Sequence, residues 1–70
     1  MNFGAAFTAL LVRRQHLGLG RAARETGLSV GHFRRLLAGD VKPRLRTALA
    51  IQKRFGVAIN AWLLDEPWGW

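Results

Sequence analysis

Apolar side chains recur along this chain at helical spacing and nowhere alternate with polar ones as they do in strands. The first apolar stripe follows the i, i+4, i+7, i+8 pattern and consists of Phe3, Phe7, Leu10, Leu11 and Arg14, the arginine lying at its wet end. It predicts a helix over residues 3–16 that stops near Gly18. Val and Ile together number only six and Tyr is absent, so no strand is expected.

Two further helices are expected on either side of a tight turn. A short helix over residues 21–26 has alanines as its packing face, and Gly27 allows the backbone to turn with positive φ. Ser29 is a suitable N-cap for a third helix that runs to about residue 38 and ends at Gly39. The inward face of this third helix is expected to be Phe33, Leu36 and Leu37.

The rest of the chain predicts two more helices after a loop that contains Pro43. The fourth runs from Arg44 and ends at Gly56, and its apolar positions are Leu45, Ala48, Leu49, Ile51 or Gln52, and Phe55. A short fifth helix is expected over residues 60–64, with Pro67 beyond it. Residues 1–70 are therefore predicted to form one all-α domain, a compact bundle of about five short helices with a Trp-rich tail at about residues 65–70.

Composition excludes several classes of protein. The 70 residues include no cysteine, which excludes a disulfide framework and a cysteine-built zinc site. Two histidines and four acids favour no metal site, and no catalytic set of side chains stands out, so we expect neither an enzyme nor a cofactor. The apolar run over residues 3–12 is too short to span a bilayer, and Arg13 and Arg14 follow it rather than precede it, so a cytoplasmic protein is expected.

The balance of charge indicates a polyanionic partner. Eleven Lys and Arg against four Asp and Glu give a net charge of +7, and every cation lies between Arg13 and Arg54. Nine of the eleven are arginines, whose planar guanidinium binds phosphate and guanine edges bidentately. Nucleic acid is the first candidate and an anionic membrane surface the second.

Residues 19–39 carry the most informative pattern. A helix-turn-helix needs a small residue on its first helix, a tight turn, a prompt cap and an apolar anchor one turn later, and the chain supplies Ala23, Gly27, Ser29 and Phe33 at these places. The wider run resembles the Cro/CI-type (XRE-like) helix-turn-helix family of phage repressors, their bacterial relatives and antitoxins. The matching stretches are residues 23–29, 33–39, 43–51 and 55–57, and the resemblance covers about residues 10–64.

The resemblance implies a lambda repressor-like fold and a homodimer that binds double-stranded DNA and represses transcription. Its base-reading positions match Val30, Gly31 and Arg35, because the third helix enters the major groove in this family. Val30 and Gly31 have no forked side chain, so discrimination between bases would depend on the arginines and on His32. The full set of implied DNA-contacting residues is Ser29, Val30, Gly31, His32, Arg34, Arg35, Lys42, Arg44 and Arg46.

Three tryptophans among the last nine residues, Trp62, Trp68 and Trp70, suggest an interface, because each large ring removes much apolar area from water. We expect Trp62 to belong partly to the core, and Trp62, Leu64 and Trp68 to supply a contact between two copies. Two alternatives stay open. One is an antitoxin-like module whose tail binds a protein and which regulates its own promoter; the other is a cationic helical protein that binds membranes.

Overall fold

The computed structural model describes residues 3–63, which form four α-helices followed by one 3₁₀ helix. The elements are α1 (Phe3–Arg14), α2 (Leu19–Glu25), α3 (Val30–Ala38), α4 (Leu45–Phe55) and the 3₁₀ helix (Ile59–Leu63). No strand occurs within this range, and the predicted all-α class is confirmed. The predicted fifth α-helix is the 3₁₀ helix instead. None of the helices in the described range is long and apolar enough to cross a membrane.

α1 buries a different face from the one that its large apolar side chains predict. The buried residues are the small ones, Gly4, Ala5, Thr8 and Val12. Phe7 and Leu10 are 44% and 46% exposed. The predicted stripe is therefore a core face only in part. Phe3 and Leu11 pack against the core, whereas Phe7 and Leu10 do not, because Trp62 lies so close to α1 at Gly4 that no larger side chain fits there. The Thr8 hydroxyl is satisfied inside this contact by donating to the Gly4 carbonyl, 2.7 Å away.

α1 ends two residues earlier than the sequence predicts. His16 adopts a left-handed conformation with φ of 55°, and the Leu17 N–H donates to the Val12 carbonyl at 3.1 Å, which closes the helix. This position usually belongs to glycine, because a side chain there crowds the backbone. Because the sequence has histidine rather than glycine at position 16, the predicted helix is two residues longer than α1.

α4 buries three of its predicted apolar positions but neither of its two leucines. Its buried residues are Ala48, Ile51 and Phe55, whereas Leu45 and Leu49 are 66% and 48% exposed. Ile51, rather than Gln52, occupies the inward position that the pattern left open. Gly56 ends the helix with φ of 79°, as predicted. The two leucines lie one turn apart and form an apolar strip on the outer surface of α4.

Trp62 packs the 3₁₀ helix against α1. The Trp62 side chain is 3% exposed, and its ring lies directly against Gly4, where an added Cβ atom would overlap the ring. Burying a ring of about 150–250 Å² stabilises the fold by about 4–6 kcal/mol. This outweighs the cost of about 1–3 kcal/mol for a buried N–H without an acceptor. The Trp62 Nε1–H is such a group among the described residues.

Burial of Trp62 corrects part of the expected contact between copies. A ring that fills the interior of its own chain is not available on a surface, so Trp62 belongs wholly to the core. The other two residues expected at that contact, Leu64 and Trp68, lie outside the described residues.

Glu25 ties the end of α2 to the end of α4. Its carboxylate accepts hydrogen bonds from Arg21, at 3.0 Å, and from Arg54 on α4. The hydrogen bond from Arg54, followed by that from Arg21, lowers the pKa of Glu25 below its usual value. The guanidinium of Arg54 also lies 4.7 Å from the centre of the Phe55 ring. The arrangement fixes α4 against the helix pair that contains α2.

The contact between Gly4 and Trp62 predicts that Gly4→Ala destabilises the protein by about 1–3 kcal/mol, the usual cost of overpacking a core. For a domain of this size each kcal/mol lowers the melting temperature by about 4–8 °C. Gly20→Ala is the matched control, because the nearest atom to an added Cβ there is 3.8 Å away. Thermal unfolding followed by circular dichroism should show a loss for Gly4→Ala and no loss for Gly20→Ala. Equal behaviour of the two variants would contradict the packing.

The ion pairs of Glu25 predict a specific response to acid. Because the pKa of Glu25 is lowered in the folded protein, its contribution to stability is present above the unfolded value of about 4.3 and is lost as the pH falls through the folded value. A double-mutant cycle of Glu25→Gln and Arg54→Gln should give a stabilising coupling at pH 7 that shrinks toward about pH 2. Urea unfolding measures it, and a coupling independent of pH would show that the carboxylate charge is irrelevant.

Candidate nucleic-acid interface

α2 and α3 form a helix, a tight turn and a second helix, as the spacing of residues 23–33 predicts. Ala23 and Phe33 are 1% and 0% exposed, so the two helices pack closely. Gly27 has φ of 76°, and the Leu28 N–H donates to the Ala23 carbonyl at 2.8 Å, which closes α2. The Ser29 hydroxyl accepts from the His32 N–H at 3.2 Å and caps α3. All four predicted positions have the predicted geometry.

The first turns of α2 and α3 lie side by side. A Cβ atom added at Gly20 would lie 3.8 Å from Cγ2 of Val30, the first residue of α3. α2 begins at Gly18 in an extended conformation with no side chain bound to its free N–H groups. Both helix starts therefore present unpaired backbone donors, and the positive ends of two helix dipoles, at the same end of the molecule.

The outward face of α3 has one long side chain between two small ones. Phe33 and Leu36 are buried and Leu37 packs partly against the core, so the helical period turns Gly31, Arg35 and Ala38 away from the core. All three are exposed, and Arg34 and His32 lie exposed on the two flanks. Arg35 can therefore project from a narrow helix face that another surface can approach closely. Ala38 is not among the predicted contact residues, although its spacing of seven residues from Gly31 places it on the same face.

Gly31 has no packing role among residues 3–63. An added Cβ atom at this position would meet nothing within 4 Å, and its φ is not positive. A glycine in a helix costs about 0.5–1 kcal/mol relative to alanine. The fold thus gives no reason for glycine at the second position of α3.

A second group of cations lies at the start of α4. Lys42, Arg44 and Arg46 are exposed, and Arg44 is the N-cap of α4 without a side-chain hydrogen bond to the helix. Cations there oppose the helix dipole, which favours anions at an N-terminus. In the chain, α3 and the loop that follows it lie between this group and Val30.

All the predicted DNA-contacting residues are exposed, and their cations are free of carboxylates within residues 3–63. Within the described range, ion pairs are formed by Arg21 and Arg54 instead, both with Glu25. Both of these arginines are therefore engaged by Glu25 rather than available to a ligand. Within the same range no group of three or more potential metal ligands occurs.

Comparison with protein-family models, curated proteins and solved structures gave no match for this chain.

Because Gly31 is exposed and unhindered, Gly31→Ala should stabilise the free protein by up to about 1 kcal/mol. Urea unfolding of the two proteins measures the difference. Gly27→Ala is the control with the opposite sign, because its positive φ strains any side chain. A destabilised Gly31→Ala variant would indicate a packing role for this glycine that the structure does not contain.

Proposed function

We propose that this protein is a sequence-specific double-stranded DNA-binding regulator of transcription, a repressor that acts as a homodimer on a palindromic operator. In this proposal α3 lies in the major groove. The resemblance to the Cro/CI-type family supports the same reading, and the structure adds the surface on which it depends.

The observation that carries the proposal is the outward face of α3. Gly31 and Ala38 allow the helix backbone to approach base edges, and Arg35 between them extends a forked guanidinium that fits guanine O6 and N7. If the outward face of α3 contacted only water, alanine in place of Gly31 and a carboxylate partner for Arg35 would both make the protein more stable. Neither is present in the part of the chain that the structure describes.

The cations at both ends of α3 are assigned to the DNA backbone. Lys42, Arg44 and Arg46 bind phosphates beyond the C-terminal end of α3, and Arg34 binds one beside it. Ser29 holds the first turn of α3 in place, so that its free N–H groups meet a phosphate. These contacts set affinity and orientation, whereas Arg35 discriminates between bases.

A homodimer is proposed because the DNA site that one copy can read is short. One short helix reads only a few base pairs, which is too little discrimination against the sites of a whole genome. Two copies related by a two-fold axis double the site when their recognition helices lie about 34–36 Å apart. Among the described residues, the strip formed by Leu45 and Leu49 is an exposed apolar surface on which the copies can meet.

Selection of bound sites from random duplex DNA tests the proposed function directly. An enriched palindrome would support both the class and the symmetry, and an enriched single half-site would support DNA reading without the dimer. Absence of enrichment together with tight binding to anionic liposomes would overturn the proposal in favour of a membrane-surface role.

The division of labour between cations predicts different effects of two substitutions. Arg35→Ala should cost about 1–3 kcal/mol at the selected site and relax the preference at one base position. Lys42→Ala should weaken all sequences alike and lower the salt slope of binding by about one unit. Fluorescence anisotropy with cognate and scrambled duplexes at several salt concentrations measures both. If both variants lose affinity uniformly with unchanged base preference, the assigned roles are wrong.

A further inference from the structure

An open apolar groove lies between α1 and the chain that leaves α4. Its volume is about 530 Å³, and its walls include Phe7, Leu10 and Arg14 of α1 and Phe55, Ala58 and Ala61 on the opposite side. Arg14 is the one charged residue among those that line it. The DNA-binding surface proposed above uses none of these residues.

The groove leaves large apolar side chains in contact with water. Phe7 and Leu10 are about half exposed, and Phe3 stacks on Phe7 with ring centres 4.8 Å apart. Burial of such area is favourable by about 25 cal/mol per Å², so an apolar ligand of suitable shape would be bound. A contiguous exposed patch of this kind marks a site of interaction more often than an isolated exposed leucine does.

We propose that the Trp-rich segment 64–70 of the same chain occupies this groove and places Trp68 against Phe7 and Leu10. The described chain ends at Leu63, only two residues after Ala61, which itself lines the groove. Seven extended residues reach at most about 25 Å, which is sufficient for an adjacent groove. The segment provides Leu64, Trp68 and Trp70 as apolar side chains, with Pro67 between them.

Charge complementarity supports the same occupant. Asp65 and Glu66 precede Trp68 by three and two residues, and they are the acids of the segment. Arg14 at the groove has no carboxylate partner within residues 3–63. A segment that inserts Trp68 among the apolar walls brings a carboxylate into reach of this guanidinium, and such charge-assisted pairs are stronger than neutral hydrogen bonds.

Segment 64–70 is covalently linked to a residue beside the groove, which favours the segment of the same chain over that of a second copy. A short tether gives an effective concentration of about 1 mM or more, far above the micromolar concentration of a second copy. In this arrangement Trp68 does not take part in the contact between two copies that the sequence predicts. Leu45 and Leu49 of α4 then form the proposed contact instead. The inference does not depend on DNA binding and holds whether or not the proposed function does.

Because the chain has no cysteine, an engineered pair tests the inference cleanly. Ala58→Cys with Gly69→Cys places one thiol in the groove and one beside Trp68 while all three tryptophans are kept. Under mild oxidation at micromolar protein, we expect a disulfide within the monomer that forms at least about tenfold faster than in the control pair Asn60→Cys with Gly69→Cys. Asn60 is exposed on the 3₁₀ helix, lies nearer to Gly69 along the chain than Ala58 does, and does not line the groove. Non-reducing electrophoresis and mass spectrometry identify the products.

Two outcomes would overturn the inference. A disulfide that links two chains would show that the groove holds the segment of a second copy, and a rate equal to that of the control would show that the segment does not enter the groove. Adding Leu10→Asp to the Ala58 pair supplies a further check, because a carboxylate in the groove repels Asp65 and Glu66. We expect the disulfide to form at least about tenfold more slowly while far-ultraviolet circular dichroism stays unchanged, since Leu10 is 46% exposed.

Discussion

The packing of the Trp62 ring on Gly4 is the contact on which the arrangement of this chain depends. It brings the 3₁₀ helix under α1 and thereby joins the two ends of the described chain around one core. The close approach is possible because α1 presents small residues at this face, and Ala5 and Thr8 extend the same narrow surface. A helix that buries small residues must leave its large ones elsewhere, which is why Phe7 and Leu10 line an open groove.

The second constraint is an excess of positive charge with few carboxylates to balance it. Within the described residues Glu25 pairs with Arg21 of its own helix and with Arg54 of α4, so both arginines already have a carboxylate partner. The remaining cations at α3 and at the start of α4 have no such role. Two of them, Arg44 and Arg46, lie at a helix start where the dipole disfavours them. The placement of these two arginines costs the free protein some stability.

The two surfaces proposed here divide the molecule. The outward face of α3 and the loop before α4 face the DNA in the proposed function, whereas the groove of α1 belongs to the chain's own Trp-rich segment. Because they share no residue, a change in one is not expected to act directly on the other. The outer strip of α4, formed by Leu45 and Leu49, is left for a second copy.

The amino-acid sequence by itself determined the local structure. The glycines at positions 27, 39 and 56 have the positive φ that their places predicted, Ser29 caps α3, and Phe33 and Leu36 are buried. These features depend on a few neighbouring residues and on backbone sterics, which the sequence contains. The exposure of the candidate DNA-contacting residues followed from the same local rules.

Only the tertiary structure decided which faces of α1 and α4 meet the core. Hydrophobic periodicity selects the face with the largest apolar side chains, and in both helices that face is partly in water. How close two helices come depends on the residues of both, and here Trp62 requires a glycine opposite it. A sequence pattern within one helix contains no information about its partner. The groove of α1, the outer leucines of α4 and the burial of Trp62 all follow from distances between residues far apart in the chain.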